Sequence, residues 1–347
     1  MFMKNIHGGD IYKYENVTDF SANINPMGIP ESVREAVVNS LEMCENYPQM
    51  FCDDLREKIG RRYGVDSSFI ICGNGASDVL YRYVFAIKPK NAVVAAPCFA
   101  EYEAALECVG AKVEYYQINH NTFEIEDDFM EMFEYKPDMI FLCNPNNPTG
   151  MLINDHLLER IIKECDRNGV RIFLDECFLD FTGKEDKLSY VKNILRYRGL
   201  FVLKAFTKMY AIPGIRLGYG ITSDKELIDK MYDAGQPWNV SVLAQNAGIA
   251  ALDEDKFAAD TVSLISKERE FICTNFQKMN IKYWESDANY IFFMHKKGLK
   301  EELLNRGILI RDCSNYKNLT DGYYRIAIKS HKDNVKLIDA LADIDIN

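Results

Sequence analysis

Short apolar runs separated by amphipathic stretches fill the middle of the chain. The runs predict buried strands at Phe69–Cys72, Ala92–Ala96, Met139–Cys143, Arg171–Leu174 and Leu200–Leu203. The stretches between them predict helices, most clearly over residues 155–166, where apolar side chains share one face. Alternation of strands and helices is typical of a mostly parallel sheet with helices on both faces. The pattern therefore predicts an α/β fold.

Both ends of the chain differ from this middle part. Helical spacing covers residues 31–64, and beyond about residue 265 helices and strands alternate without long parallel runs. Tyr324–Ser330 alternates apolar and polar residues, which predicts a half-buried strand. A length of 347 residues suggests about two domains. We predict a large domain over residues 40–255 and a smaller α+β domain over residues 1–39 and 256–347, whose N-terminal segment reaches the functional site.

Composition and charge argue against several classes of function. The formal net charge of −11 argues against nucleic-acid binding, which favours a basic face. No apolar run reaches 18 residues, so no membrane span is expected, and the first residues lack the apolar region of a signal peptide. The 10 cysteines form no CxxC pair, and most lie in apolar runs, as Cys143 and Cys177 do. We expect a reduced, cytoplasmic protein without a metal site.

The loops that follow the predicted strands are the most informative, because ligands of parallel sheets bind beyond the carboxyl ends of the strands. Cys72–Asp78 follows the first strand and opens a helix, so its glycines and free N–H groups predict a phosphate site. A helix that is simply capped by Ser77 is the alternative. Asp78 stands where the dinucleotide fingerprint needs a third glycine, which argues against a dinucleotide cofactor.

A lysine follows the last of these runs, at a place where a solvated charge is unusual. Leu200–Leu203 leads to Lys208 in a stretch rich in glycine and proline, and Arg216 follows eight residues later. Desolvation lowers the pKa of a lysine and makes it a nucleophile toward carbonyl groups. Arg216 would offer a fixed positive charge to an anion such as a phosphate. Two ordinary surface residues are the alternative interpretation.

Two further strings indicate a constrained ligand site. Asn144–Gly150 contains two prolines and a glycine, which fix the turn and aim Asn147 at one point. Asp175 follows the run Arg171–Leu174, and a carboxylate at the end of a buried strand needs a cationic partner. Because both strings follow strands, we expect them at the same edge of the sheet.

Together these strings resemble the pyridoxal-phosphate enzymes of the aspartate aminotransferase fold. Thr207–Tyr219 is similar to their cofactor-lysine segment, most of all to that of the threonine-phosphate decarboxylases and next to that of the histidinol-phosphate aminotransferases. The resemblance runs from His7 to about Asn334. It implies a large domain with a mostly parallel seven-stranded sheet between helices, a smaller α+β domain, and a homodimer.

The resemblance also implies how pyridoxal 5′-phosphate is held. Lys208 would carry the cofactor, Asn147 would bind its phenolic oxygen, and Asp175 would pair with its ring nitrogen. Phe99 would stack on the ring, and Tyr47 of one subunit would reach the cofactor phosphate of the other. The remaining implied cofactor contacts are Gly75, Ala76, Ser77, Phe178, Thr207 and Arg216.

For the substrate, the resemblance implies a small phosphorylated amino acid that is held at both ends. Arg325 would bind the carboxylate as a bidentate fork. The other implied substrate contacts, most of them with the phosphate, are His7, Gly8, Gly9, Asn25, Asn147, Arg311 and Lys329. The strings HGG, SANINP, QPW and RDCSN favour decarboxylation of O-phospho-L-threonine. Histidinol-phosphate aminotransferase, or a related aminotransferase, is the alternative.

Two positions depart from the usual aminotransferase pattern. Phe178 replaces a tyrosine, which favours the decarboxylases, and Ala205 replaces a serine that binds the cofactor phosphate. Losing one neutral hydrogen bond costs about 0.5–1.5 kcal/mol, which Arg216 and Ser77 could offset. A nicotinamide-dependent oxidoreductase is disfavoured by the broken glycine fingerprint. A non-catalytic regulator is disfavoured because it would normally need a basic DNA-binding segment.

Overall fold

The computed structural model describes residues 7–346, and each of the five apolar runs corresponds to a strand. In chain order the strands are β1 (Thr18–Asp19), β2 (Ile70–Gly73), β3 (Asn91–Ala96), β4 (Lys112–Gln117), β5 (Met139–Cys143), β6 (Arg171–Asp175), β7 (Leu200–Ala205), β8 (Gly218–Ile221), β9 (Tyr283–Trp284), β10 (Tyr290–Met294), β11 (Ile308–Leu309), β12 (Arg311–Asp312) and β13 (Tyr323–Ala327).

The helices lie mainly between these strands in the chain. They are α1 (Glu31–Asn39), α2 (Asp53–Tyr63), α3 (Ala76–Ile87), α4 (Glu101–Cys108), α5 (Asp155–Asn168), α6 (Glu185–Leu188), α7 (Phe206–Met209), α8 (Lys225–Asp233), α9 (Val242–Ala251), α10 (Asp255–Lys278), α11 (Leu299–Leu304) and α12 (His331–Ile346). The predicted helix over residues 155–166 is α5. Its bounds follow from local chemistry: the Asn154 side chain caps its first N–H groups, and Gly169 ends it with a φ of +67°.

Seven strands form one sheet in the order β2-β8-β7-β6-β5-β3-β4. The pairs from β4 through β7 are parallel, whereas β8 is antiparallel to both β2 and β7. The expected seven-stranded, mostly parallel sheet is confirmed. The apolar pattern missed β4, a partly exposed edge strand, and β8, which contains two glycines. A Cβ on Gly220 would lie 2.0 Å from the Phe201 ring, so this glycine permits close packing.

The central strands of this sheet are buried on both faces, as a parallel sheet requires. Every residue of β5 and of β7 is buried. The register places Cys143 at the end of β5 beside Asp175 at the end of β6, and Asp175 beside Leu203 of β7. The carboxyl ends of β5, β6 and β7 therefore form one continuous edge, and the loops that carry the candidate residues leave the sheet there.

A second sheet of four antiparallel strands has the order β12-β13-β10-β9. β1 pairs in parallel with β11, so residues near both ends of the chain meet in this region. α1, however, packs against α9, so part of segment 1–39 contacts the predicted large domain. The domain boundaries stay a prediction. Within the described residues, no helix is both long and apolar enough to cross a membrane.

The strand predicted over Tyr324–Ser330 is present as β13, but its predicted half-burial is wrong, because all five residues of β13 are buried. Its polar side chains are hydrogen-bonded rather than solvated. The Tyr324 hydroxyl donates to the Lys296 carbonyl at 3.0 Å, and an Arg325 Nη2 group donates to the Ser21 carbonyl at 2.8 Å. Buried polar groups need such partners, and an alternating sequence pattern does not reveal whether they exist.

Candidate active site

A cavity of about 510 Å³ opens at the carboxyl edge of the large sheet, where Cys143, Asp175 and Ala205 line it. The second sheet contributes its two arginines to the same cavity. The predicted site residues that line it are His7, Gly8, Ala76, Ser77, Phe99, Asn147, Asp175, Phe178, Thr207, Lys208, Arg216, Arg311 and Arg325. Residues that are distant in sequence are thus brought together.

Other residues of the expected site lie outside the cavity wall. The Asn25 side-chain amide donates to the Met209 carbonyl and to Thr261 Oγ1, both at 2.7 Å, so it links the segment around residue 25 to two other parts of the chain. The cavity lining includes neither Lys329 nor Gly9. Tyr47 is 79% exposed and stacks on Trp238 with ring centroids 4.7 Å apart. The ligand roles of these residues stay predictions.

Lys208 lies in α7, immediately after the buried strand β7. Burial, together with the nearby positive charges of Arg325 and Arg216, lowers the pKa of its amine from 10.5 to about 8. Its Nζ lies 5.9 Å from the centre of the Phe178 ring. A larger neutral fraction at neutral pH makes this amine a better nucleophile than an ordinary lysine.

Asp175 is buried and receives two hydrogen bonds. The Tyr102 hydroxyl donates to its Oδ2 at 2.6 Å, and the Cys177 N–H donates to its Oδ1 at 2.9 Å. Burial raises the pKa of the Asp175 carboxyl, and the two donors counteract that rise. Sequence reasoning missed Tyr102. The available signal was its position three residues after Phe99, and the two rings meet edge to face with centroids 5.7 Å apart.

Arg325 reaches the cavity from β13 and is held from two sides. One Nη group donates to Asn147 Oδ1, and the other donates to the Ser21 carbonyl at 2.8 Å. Asn147 is itself fixed by its turn, because the Tyr290 hydroxyl donates to the Asn146 carbonyl at 2.8 Å. Among the described residues, nothing accepts from the buried Arg325 Nε. The guanidinium therefore keeps donor capacity for an anionic ligand.

Arg311 lies directly opposite Arg325 in the antiparallel pair of β12 and β13. It is buried, and its two Nη groups donate to the Asp312 carbonyl at 2.7 Å and to Asn315 Oδ1 at 2.8 Å. The guanidinium lies 5.0 Å from the centre of the Tyr316 ring. Directly opposed residues of an antiparallel pair point to the same face, so one wall of the cavity carries two buried positive charges.

The loop before α3 is shaped for an anion. The helix begins after Gly75, and no side chain among residues 7–346 caps it, so Ser77 is not the cap that the alternative interpretation required. Ala76 and Ser77 line the cavity beside Arg216. A Cβ on Gly75 would lie 2.4 Å from an Arg216 Nη group, so glycine is needed for this close approach. Free N–H groups at a helix N-terminus next to an arginine favour a phosphate.

These residues fit the cofactor that the sequence resemblance implies. The anion site at α3 suits its phosphate, Phe99 offers an aromatic face, and Asp175 offers a buried carboxylate for the ring nitrogen. Lys208 supplies the amine that would hold its carbonyl carbon. Ala205 lines the cavity and has no hydroxyl group, so Arg216 and the α3 amides would have to hold the phosphate without the serine that the family usually has.

His7 also lines the cavity, and its Nε2 lies 2.7 Å from Glu101 Oε1. Gly8 is packed so closely against Ser21 that a Cβ on it would lie 2.2 Å from the Ser21 carbonyl oxygen. The Gly9 N–H donates to Ser21 Oγ at 2.8 Å. The predicted phosphate-binding segment is therefore at the cavity mouth, but its histidine is held by a carboxylate that the sequence had not singled out.

Comparison with known proteins agrees with this geometry. The family model for aminotransferase class I and II matches residues 15–341. The chain is 34% identical to threonine-phosphate decarboxylase of Salmonella typhimurium, over 97% of this chain and 96% of that protein. It is 32% identical to histidinol-phosphate aminotransferase of Caldanaerobacter subterraneus, over 99% of this chain and 98% of that protein.

Solved structures give the same two kinds of relative. The histidinol-phosphate aminotransferase from Clostridium acetobutylicum superposes with a TM-score of 0.89 and is 31% identical, over 94% of this chain and 99% of that one. The L-threonine-O-3-phosphate decarboxylase from Porphyromonas gingivalis superposes with a TM-score of 0.85 and is 26% identical, over 94% of this chain and 99% of that one.

Proposed function

The chain belongs to the aminotransferase class I and II family, and we propose that it decarboxylates a small phosphorylated amino acid, O-phospho-L-threonine, to 1-aminopropan-2-ol phosphate. Its cofactor is pyridoxal 5′-phosphate, as in the family and as the site residues fit. The proposal follows the 34% identity to a threonine-phosphate decarboxylase. The product would serve as the side-chain precursor of cobalamin.

The observation that carries the proposal is the pair of arginines on one cavity wall. Arg311 and Arg325 are opposed in β12 and β13, and both line the cavity. Phosphothreonine brings a carboxylate and a phosphate, and one guanidinium cannot hold both groups. We assign the carboxylate to Arg325, which Asn147 and the Ser21 carbonyl orient, and the phosphate to Arg311 and the segment around His7.

The protein groups have distinct tasks in the proposed reaction. Bound pyridoxal phosphate supplies a conjugated system that stabilises negative charge at the α-carbon of the substrate. Asp175 keeps a proton on the ring nitrogen, and Tyr102 holds the Asp175 carboxylate in place. Arg325 fixes the orientation of the substrate carboxylate. Lys208 Nζ is the group in the cavity that can deliver the proton that replaces the carboxylate at the α-carbon.

The choice between decarboxylation and transamination depends on which bond at the substrate α-carbon breaks, and Arg325 would set that choice by fixing the substrate carboxylate. Histidinol-phosphate aminotransferase is the second candidate, and the structural match with a TM-score of 0.89 favours it. Phe178, which lies in the cavity in place of a tyrosine, favours the decarboxylase.

We further propose a homodimer. Several large apolar side chains near Tyr47 are exposed, namely Val38, Leu41, Met43, Met50, Phe51 and Trp238. Exposed apolar patches of this kind are typical of protein–protein contacts. A second copy of this chain is the partner that we assign to the patch, which would let Tyr47 reach the cofactor phosphate of the neighbouring subunit. The 10 free thiols agree with a reducing, cytoplasmic location.

A direct assay tests the proposed reaction. Purified holoenzyme is incubated with O-phospho-L-threonine, and released carbon dioxide is measured. In parallel, histidinol phosphate and 2-oxoglutarate are supplied, and glutamate formation is measured. We expect carbon dioxide release in the first reaction and little glutamate in the second. Glutamate formation without carbon dioxide release would overturn the decarboxylase assignment and establish the aminotransferase.

A further inference from the structure

We infer that Glu101 and Tyr81 are positioning residues that hold the amino-terminal segment, residues 7–25, closed over the cavity through His7. Neither residue is among those that the family resemblance implies. The inference rests on the proposed function in one respect, namely that the group which meets His7 is the substrate phosphate. The closure of the segment can be measured without that assumption.

The contact is a continuous chain of hydrogen bonds between three elements. Glu101 opens α4, and its Oε1 lies 2.7 Å from His7 Nε2. Its Oε2 accepts from the Tyr81 hydroxyl of α3 at 2.8 Å. Because a carboxylate only accepts hydrogen bonds, Nε2 must carry the proton and donate it. The side chains of His7 and Glu101 are 38% and 18% exposed, so water screens the pair only in part.

The hydrogen bonds from His7 to Glu101 and Tyr81 also place the imidazole near Phe99, at the predicted site of the cofactor ring. The His7 and Phe99 ring centroids are 5.7 Å apart with an angle of 47° between the planes. The other end of the segment is held by Ser21, whose Oγ accepts from the Gly9 N–H and whose carbonyl accepts from Arg325, both at 2.8 Å. Glu101 and Arg325, which both line the cavity, therefore fasten the segment at two separate points, His7 and Ser21.

Glu101 places a negative charge beside a cavity that, in the proposed function, binds the carboxylate and the phosphate of the substrate, so its presence there requires an explanation. Glu101 binds Nε2 and so fixes the ring with its other nitrogen, Nδ1, as the remaining hydrogen-bonding position. A protonated imidazole donates from both nitrogens, so it can bridge Glu101 on one side and a phosphate on the other. Glu101 thereby converts a histidine on a loop into an oriented phosphate donor, and Tyr81 fixes the orientation of Glu101.

Hydrogen exchange of the holoenzyme tests the closure. We expect Glu101→Ala to speed amide exchange in residues 8–23 by roughly 10- to 100-fold, about what the loss of one charge-assisted hydrogen bond gives. Tyr81→Phe should speed it by only a few-fold, because Tyr81 acts on the segment through Glu101 and leaves the bond to His7 in place. Glu103→Ala is the matched control, because Glu103 lies in the same first turn of α4, pairs with Lys317 at 3.4 Å, and does not line the cavity. Unchanged exchange in Glu101→Ala would overturn the inference.

If Glu101→Ala does not fold, Glu101→Gln replaces it, because glutamine has the same size and still accepts from His7 but carries no charge. We expect a smaller increase of exchange in the same residues, and no increase at all would overturn the inference.

Steady-state kinetics test the positioning role. Glu101→Gln should raise KM for O-phospho-L-threonine by roughly 10-fold while kcat stays within about twofold, because the residue orients a binding group and does not touch the reacting atoms. Glu103→Gln should change neither constant. A loss of kcat at unchanged KM would contradict the positioning role. If wild-type enzyme does not decarboxylate phosphothreonine, the proposed function fails, whereas the exchange experiment still decides the closure.

Discussion

Replacing Arg311 with alanine tests the assignment of the two anionic groups of the substrate. Arg311 is buried in the cavity wall opposite Arg325, and the proposed function gives it the phosphate. The substitution should therefore weaken the binding of phosphorylated substrates selectively. Unphosphorylated L-threonine lacks the group that Arg311 would bind, so it serves as the matched substrate.

The expected rise in KM follows from how firmly the Arg311 side chain is held. Its Nη groups donate to the Asp312 carbonyl at 2.7 Å and to Asn315 Oδ1 at 2.8 Å, and Tyr316 lies under the guanidinium. Little side-chain entropy is therefore lost when a ligand binds. A hydrogen bond to a charged group contributes about 1.5–3 kcal/mol. At about 1.4 kcal/mol per tenfold change, KM for phosphothreonine should rise roughly 10- to 150-fold.

The assay compares KM and kcat for O-phospho-L-threonine and L-threonine in the wild type, in Arg311→Ala and in a control variant. Arg306→Ala is the control, because Arg306 is an exposed arginine nearby whose Nη1 bonds only the Glu302 carbonyl among the described contacts. Thermal unfolding separates binding from stability, and Arg311→Lys, which keeps the charge, should lie between the wild type and the alanine variant. An equal loss with both substrates would refute the assignment of Arg311 to the phosphate.

Three further predictions concern the cofactor site and the assembly. Because the pKa of Lys208 is lowered to about 8, the rate at which apoenzyme attaches pyridoxal phosphate should rise with pH up to about 8 and then level off. The folded apoenzyme also binds fewer protons than the unfolded chain between about pH 8 and 10.5, so Lys208 should add stability as pH rises through that window. Stopped-flow absorbance measures the rate of cofactor attachment, and denaturant titration measures the stability of the apoenzyme. A borohydride-reducible adduct in Lys208→Ala would contradict the role of this lysine. Tyr102→Phe removes a 2.6 Å hydrogen bond to Asp175 and should weaken cofactor binding roughly 10- to 100-fold by equilibrium dialysis. Tyr83→Phe is its control, since that buried hydroxyl has no partner among the described residues, and equal losses in the two variants would refute the link to Asp175. Light scattering should give the mass of a dimer at micromolar concentration, and Tyr47→Ala should lower activity per subunit, whereas a fully active monomer would disprove the shared site.

The positions of the central strands and of several site residues could be predicted because their signals are local. Met139–Cys143 was predicted with the bounds that β5 has, since a short apolar run between polar turns is typical of a buried strand. Asn147, Asp175 and Lys208 follow such runs, and the carboxyl ends of parallel strands meet at one edge. Their shared location in the cavity therefore followed from the strand pattern together with the topology it implies.

Residues that act through a distant partner left little signal in the sequence. Tyr102 and Asp175 are 73 positions apart, and His7 and Glu101 are 94 positions apart. Asn25 shows the same limit, because its amide bonds the Met209 carbonyl and Thr261 Oγ1, which lie 184 and 236 positions away in the sequence. A side chain with free hydrogen-bonding capacity looks the same in a sequence whether it meets a ligand or another part of the chain.

The sequence by itself determined the α/β class, the edge of the sheet that carries the site, and the lysine, asparagine and aspartate at its centre, because periodicity and turn chemistry act over a few residues. The tertiary structure alone decided that β13 is fully buried, that Arg311 faces the same cavity as Arg325, and that Glu101 holds His7 over Phe99. These features depend on strand register and on contacts between segments far apart in the chain. Such contacts form only when the whole core has packed, so no local pattern encodes them.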